Sequence, residues 1–421
     1  MHYLKELVQM QKSGTPKGIY SACSANEYVI EACFERAMVD NDYVLIEATA
    51  NQVNQFGGYT GMLPVDFREF VYGIAEKVNF PKDKIILGGD HLGPLTWKNE
   101  NEQSAMEKSK ELIKLFVKAG FTKIHIDTSM RVADDDKNTP LDTKVIARRA
   151  AELCKVAEEF ATQEIVYVVG SEVPIPGGAQ EEEEGIQVTK VADFEETVQI
   201  FKDELQGVWE KVIAVVVQPG VEFGDENIDE YNRVAATHLT STLKKYPNLV
   251  FEGHSTDYQT KYKLKEMVED GIAILKVGPA LTFAMREGLF ALSKIEDELL
   301  LDKSSNFMSV LEKVMLENPS NWKNHYHGSE DKIRLARRYS FSDRCRYYLP
   351  EKEVNTALKI MIENLKSVKI PLTLISQYMP IQYEKIRMCT LDNSPEALLK
   401  DRIVNMVDDY IFASGKEVKK C

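Results

Sequence analysis

Residues 1–301 predict an α/β fold, a closed parallel (β/α)8 barrel, and residues 302–421 a helical C-terminal extension packed on it. Three observations carry that prediction. Eight short runs rich in Val, Ile and Leu recur along the first part of the chain. Each is followed by a longer segment of helical period, and after about Leu301 the apolar runs stop while helical patterns continue. The runs are continuous rather than alternating, which marks strands buried on both faces, as in a parallel sheet covered by helices. Eight such units match a barrel in count and size.

The runs are "KGIYSAC" from Lys17, "YVLIEAT" from Tyr43, "KIILGGD" from Lys84 and "KIHIDTS" from Lys123. "IVYVVGSE" from Ile165, "VIAVVVQPG" from Val212, "LVFEGHS" from Leu249 and "IAILKVG" from Ile272 complete the set. Helical spacing predicts Asn26–Asn41, Pro64–Val78, Glu100–Ala119, Thr143–Thr162, Asp193–Trp209, Asp229–Lys245, Thr260–Asp270 and Leu281–Leu300 between and after them. A doubly wound sheet is the alternative, but it calls for a Gly-rich first βα turn, and "YSACSANE" is not one. Beyond Leu301, "NFMSVLEKVMLENPSNW", "EVNTALKIMIENLKSV" and "PEALLKDRIVNMVDDYIFAS" read as helices, with the aromatic-basic stretch "RYSFSDRCRYYL" among them. The "EEEE" run at Glu181–Glu184 reads as a solvated loop.

Composition narrows the function classes. The chain of 421 residues is 44% hydrophobic and 28% charged, ordinary for a soluble globular protein. It contains no apolar run long enough to span a membrane. The amphipathic start "MHYLKELVQMQKSG" has neither a signal core nor a small-residue cleavage site, so a cytoplasmic enzyme is expected. A formal net charge of −14 argues against nucleic acid as a main partner. The six cysteines are scattered without a C-x-x-C pair and read as reduced structural thiols.

In such a barrel the carboxyl ends of the strands face the active site. Nearly every run ends in a polar candidate: Glu47, Asn51 and Gln52; Asp90 and His91; Asp127 and Ser129; Glu172; Gln218 and Glu222; His254, Ser255 and Asp257; Lys276 and Gly278. His91 and His254 with Glu172 and Gln218 compose a mixed N/O ligand set suited to Zn, Mn, Co or Ni, and spacing does not choose among them. A divalent metal there would act as a Lewis acid on a substrate carbonyl. Asp90 then becomes the proton carrier at a hydroxyl, against a plainer reading as an N-cap; Glu47 and Asp127 join it as catalytic candidates. His125, inside a strand, reads as structural, as does Glu222; His2, His238, His325 and His327 read as surface or interface residues. "NQFGGYTGM" suggests a lid offering Asn54, Gln55 and Tyr59 to sugar hydroxyls. "VPIPGGAQ" and "VGPALT" could each present backbone N–H groups to an anion, whereas no Walker-type phosphate loop occurs.

"IEATANQVNQFGGYTGM", "ILGGDHLGP", "VVVQPGVEFG", "EGHSTDYQT" and "ILKVGPALTFA" together resemble the accessory, non-catalytic subunit of class II D-tagatose-1,6-bisphosphate aldolase, the GatZ/KbaZ type. "YSFSDRCRYY" and "IPLTLISQYMP" extend the likeness to the C-terminal part. The resemblance implies a TIM barrel, tagatose or galactitol catabolism, a ketohexose or ketohexose phosphate as ligand, and a catalytic aldolase subunit or a second copy as partner. It also implies proton transfer by Asp90 and metal ligation by His91 and His254. Two departures stand out: Gln218 where catalytic aldolase subunits place a His, and "HSTDYQ" where they carry a Gly-Gly-Ser phosphate loop. Two readings follow, an accessory aldolase subunit and a stand-alone metal-dependent fructose/tagatose 4-epimerase.

Overall fold

The computed structural model describes residues 1–170 and 187–415. The eight apolar runs form eight strands: β1 (Ile19–Cys23), β2 (Val44–Thr49), β3 (Ile85–Leu92), β4 (Lys123–Ile126), β5 (Val166–Val169), β6 (Val212–Val217), β7 (Val250–Gly253) and β8 (Ile272–Val277). Each pairs in parallel with its neighbour in sequence, and β8 closes on β1 through Ile19↔Ile274 to Ala22↔Val277. The expected barrel is therefore the observed one.

Helices α1 (Tyr3–Lys12), α2 (Glu27–Asp40), α3 (Pro64–Lys77), α4 (Glu102–Lys118), α5 (Thr143–Phe160), α6 (Val191–Glu204), α7 (Arg233–Thr242), α8 (Lys261–Glu269) and α9 (Pro279–Leu300) surround it. Their starts are fixed by side chains that accept the orphan N–H groups of a first turn. Asn26 accepts from Tyr28 and Val29, Asn101 from Ser104, and Asn232 from Val234 and Ala235. The Asn232 cap explains the largest displacement of a helix start from expectation. The predicted helix from Asp229 begins only at Arg233, because Ile228–Asp229 pairs instead with Glu222–Phe223 in a two-stranded antiparallel ribbon.

After Leu301 the described elements are helical: α10 (Phe307–Glu317), α11 (Glu330–Tyr339), α12 (Lys352–Lys366), α13 (Leu372–Tyr378), α14 (Pro380–Arg387) and α15 (Pro395–Ala413), with short 3-10 turns. Helix α15 packs on α2, α8 and α9, and the Tyr410 hydroxyl donates to the Thr256 carbonyl at 2.9 Å. Residues 340–344 are tied to the loops beyond β6 and β7. Ser340 and Ser342 hydroxyls donate to Asp225 Oδ1 at 2.8 and 2.9 Å, and the Tyr258 hydroxyl to the Phe341 carbonyl at 2.5 Å. These bonds bring the aromatic-basic stretch over the carboxyl rim of the barrel. No described helix is long and apolar enough to cross a membrane.

Candidate functional site

The stretch Ile85–Pro94 shows how the site is made. Glycine at position 88 leaves room for Glu47 on the neighbouring strand, since a Cβ there would lie 2.5 Å from Glu47 Oε1. Asp90 follows, pointing inward, and then His91 adopts φ 48°. That left-handed conformation is uncommon for a side-chain-bearing residue and is kept only where the surroundings over-determine it. Here its backbone N–H donates to His125 Nδ1 at 3.2 Å, while its ring Nδ1 meets Asp127 Oδ2 at 3.1 Å. Gly93 passes so close to β4 that a Cβ would strike the Asp127 carbonyl at 1.8 Å. The Gly-Gly-Asp-His-x-Gly pattern is thus a close-packing solution that presents two polar side chains.

His91, His125 and His254 face one another edge to face, with ring centroids 4.9 to 5.2 Å apart. With Asp90 they offer four potential ligand atoms within 4.8 Å of one another, all from buried residues. Each imidazole anchors one nitrogen outside the cluster: His91 Nδ1 on Asp127, His254 Nε2 on Glu252 Oε1 at 2.9 Å, and His125 Nε2 on the Gly170 carbonyl at 3.1 Å. That is the outer-shell arrangement that fixes the tautomer of a metal-binding histidine. Moreover, His125 Nδ1 accepts the His91 N–H while facing Asp90 Oδ1 at 2.8 Å. That nitrogen has one lone pair, so it either carries a proton donated to Asp90, accepts the His91 N–H, or binds a cation, and only one of these at a time.

Beneath the cluster runs a chain of opposite charges. Glu252 pairs with Lys123 at 2.6 Å, Lys123 with Glu47 at 2.5 Å, and Glu47 with Lys276 at 3.1 Å; Lys276 in turn pairs with Asp90. Burial opposes ionisation of Asp90, Lys123, Glu252 and Lys276, yet the partners win. His91, Lys276 and His125 hold Asp90 well below the usual carboxylate range, and Lys123 holds Glu252 down. Asp127 is likewise held low by His91 and His125. Burial and the Lys276 charge push His254 down to about 3, leaving it neutral and able to ligate. Burial also opposes charging His125, but Asp90 carries its pKa upward. Four buried carboxylates (Glu47, Asp90, Asp127 and Glu252) face two ammonium groups (Lys123 and Lys276), a surplus of two negative charges that positive charge at the imidazoles, as protons or as a metal ion, compensates. A divalent cation is the matching charge, because buried ions are stable only when compensated. The residues present therefore fit a divalent metal.

Above the centre opens a cavity of about 710 Å³, lined by Asp90, His91, His254 and Lys276 together with Asn51, Gln52, Ser255, Asp257 and Gly278. Several expected members do not reach it. Gln55 donates to the Lys108 carbonyl and Asn54 staples its own loop, accepting from Phe56 and Gly58, so neither serves the lid, whereas Tyr59 does line the cavity. Ser129 donates to Asp127 Oδ1 at 2.7 Å and braces that carboxylate, which stands behind His91 rather than in the cavity. Gln218 turns its Oε1 onto the N–H groups of Gly220 and Val221 at 2.8 and 2.9 Å and does not line the cavity. Glu172, "VPIPGGAQ" and the "EEEE" run lie outside the described residues. Asp257 Oδ1 accepts from the N–H of Gly278 and Ala280, occupying the N-terminus of α9.

Four contributors escaped sequence reasoning. His125, read as structural, stands in the centre in place of Gln218, and Lys123 and Glu252 complete the ion chain. The signal was the two-residue period in "KIHID" and "EGH", which sends Lys123, His125 and Asp127 to one face and Glu252 and His254 to another. The fourth is the C-terminal segment, whose Asn321, His325, Arg344, Arg346 and Tyr347 line the cavity mouth.

A closed parallel barrel with this centre sunk among its strand ends defines a TIM-barrel protein of enzyme-like architecture. The chain belongs to the family described as D-tagatose-1,6-bisphosphate aldolase subunit GatZ/KbaZ-like, which it matches over residues 4–415. It is similar to a probable tagatose 6 phosphate kinase from Sinorhizobium meliloti 1021, with 44% identity, a TM-score of 0.88, and 94% of this chain and 100% of that one covered. More distant are the YdjI aldolase from Escherichia coli K12 (10% identity, TM-score 0.43, 87% and 98% covered) and fructose-bisphosphate aldolase from Campylobacter jejuni (13%, 0.44, 86% and 92%).

Proposed function

We propose that this chain is a D-tagatose-1,6-bisphosphate aldolase subunit of tagatose and galactitol catabolism that carries a metal-dependent ketose site of its own. The carrying observation is the convergence of His91, His125, His254 and Asp90, whose ligand atoms lie within 4.8 Å of one another beside an open cavity and among more buried carboxylates than ammonium groups. His91, His125 and His254 would hold the divalent ion, leaving an open position as in catalytic sites. Bound there, the ion supplies Lewis-acid polarisation of a ketose carbonyl. Asp90, kept ionised by Lys276, accepts the proton of the C4 hydroxyl; the C3–C4 bond then breaks, C4 leaving as an aldehyde and the bond's electron pair passing to the C2 carbonyl to give an enediolate of the other fragment. Glu47 fixes Lys276, and Asp127 orients His91; both are positioning residues. Asn51, Gln52 and Ser255 orient the sugar. A catalytic aldolase subunit is the expected partner of such a chain, which works in the cytoplasm on this reading.

All the proposed ligands come from one chain, and that observation favours a second reading, a stand-alone ketohexose 4-epimerase. If the aldehyde half rotates before the bond re-forms, C4 inverts and fructose and tagatose interconvert. The decisive experiment is metal analysis of the purified protein followed by assay of fructose and tagatose, with and without phosphates, alone and with a catalytic aldolase subunit. We expect about one divalent ion per chain, lost in His91→Ala, His125→Ala and His254→Ala. A stoichiometric metal retained in all three variants refutes the centre. Turnover only with the partner selects the subunit reading, and ketose interconversion without it selects the epimerase.

A further inference from the structure

Five arginines among the described residues are nearly fully buried, and four of them have carboxylate partners. Arg36 pairs with Asp40 and Asp408, Arg149 with Glu102 and Asp135, Arg286 with Asp343, and Arg337 with Glu312. Arg344, 6% exposed, pairs with none among the described residues. Its Nη1 donates to the Asn321 carbonyl at 2.9 Å and its Nη2 to His325 Nδ1 at 2.8 Å, both neutral acceptors, and its Nε has no partner among the described residues. Two residues on, the half-buried Arg346 feels the charge of Asp343 but has no carboxylate within ion-pair distance among the described residues. It donates to main-chain carbonyls of Ser342 and Asp343 and to the Tyr347 hydroxyl, and stacks 4.4 Å over the Tyr347 ring. Two guanidinium groups without a described carboxylate partner, lining one cavity of a chain with net charge −14, are an arrangement that a bound anion would complete.

The usual anion cradle of such a barrel is closed. Barrels commonly take phosphate at the loops after strands seven and eight and the N-terminus of the next helix. Here Asp257 Oδ1 already accepts from Gly278 N–H at 3.0 Å and Ala280 N–H at 2.8 Å. A second negative group at that helix end would meet a carboxylate. The segment bearing Arg344 and Arg346 is meanwhile held over the rim by the Ser340 and Ser342 bonds to Asp225 and by the Tyr258 bond to Phe341.

From this geometry we infer that the helical segment after Leu301 is part of the binding site, and that Arg344 and Arg346 clamp an anionic end group of the ketose, a phosphate ester or a carboxylate. The inference rests on the ketose reading above for the rest of the ligand. It assigns specificity to Arg344 and Arg346 and leaves the centre its chemistry.

Calorimetric titration of the full-length protein with D-fructose, D-fructose 6-phosphate and D-fructuronate tests it, with inorganic phosphate titrated into metal-free protein alongside. One anionic sugar should bind about tenfold or more tightly than fructose, and which one separates phosphate from carboxylate. Arg346→Gln, at a half-buried position, should shrink that preference to about twofold, and Arg346→Lys should restore part of it, with metal content unchanged throughout. Arg344→Gln should act in the same direction and serves as the second variant. Equal binding of the three sugars by the wild type, or a preference surviving Arg346→Gln, overturns the clamp. Loss of metal and of ketose turnover refutes the proposed function instead; phosphate binding to metal-free protein that Arg346→Gln abolishes would still uphold the clamp.

Discussion

The two ends of the barrel interior are built from the same eight strands and obey opposite rules. At the amino ends, Ile19, Leu45, Ile86, Val166, Ile213, Val250 and Ile274 interlock, and α1 seals them with Leu4, Leu7 and Val8. Towards the carboxyl ends the inward positions carry Glu47, Asp90, His125, Glu252, His254 and Lys276, and Lys123 reaches this charged group from the first residue of β4, all of them buried. The dry plug and the charged layer are interdependent. Water excluded below and around the ions strengthens each pairing, but it also makes any unpaired member expensive. The amino end is held by shape, which can relax a little; the carboxyl end is held by charge balance, which cannot.

Two substitutions separate those modes. Lys123→Met removes the ammonium between Glu47 and Glu252, two carboxylates that are 0% exposed. Breaking a buried pair by deleting one partner costs about 3–5 kcal/mol, and denaturant titration should show a loss of that size. A loss under about 1 kcal/mol would mean the chain of ions is not a balanced unit. Leu7→Ala, in the plug, should cost about 2–4 kcal/mol through lost transfer energy and the cavity left behind. Its metal stoichiometry should stay at the wild-type value; a change there would show that the two ends are not separable.

The same contrast explains what could be read from the sequence. Strands buried on both faces appear as unbroken apolar runs, so all eight were legible, and the residues at their ends were named because the barrel's geometry places them at the rim. What happens one residue further in or out was not legible. Lys123, His125 and Glu252 sit inside strand runs, where a polar residue is easily taken for structural. Gln218 and Gln55 stand at promising positions, but nearby backbone groups capture them: the Gly220 and Val221 N–H groups in one case, the Lys108 carbonyl in the other. Rim position therefore predicts which residues can reach the cavity and not which do. Arg344 and Arg346 were beyond reach for a different reason. Their placement depends on Asp225 and Tyr258, more than 80 residues earlier in the chain, and no local pattern encodes that docking.

Glu222 gives the finest test of how burial and charge are balanced near the rim. It lies in the antiparallel ribbon, 2% exposed, accepting from Phe223 N–H at 2.9 Å and from the Ser255 hydroxyl at 3.2 Å. Burial, with Asp257 and Asp229 nearby adding to the effect, outweighs those two donors and raises its pKa from 4.5 to about 7. Unlike the carboxylates of the centre, it has no cation to compensate it among the described residues. A carboxyl whose folded pKa is raised binds more protons folded than unfolded between those two values, so its contribution favours folding below pH 4.5 and is lost as pH rises through about 7. Glu222→Gln removes that dependence. Relative to the wild type, the variant should gain on the order of 1–3 kcal/mol between pH 5 and pH 8, measured by denaturant unfolding at the two pH values. An identical stability difference at both would show that the ionised carboxylate is compensated after all, and would move Glu222 from the uncompensated side of the comparison to the paired one.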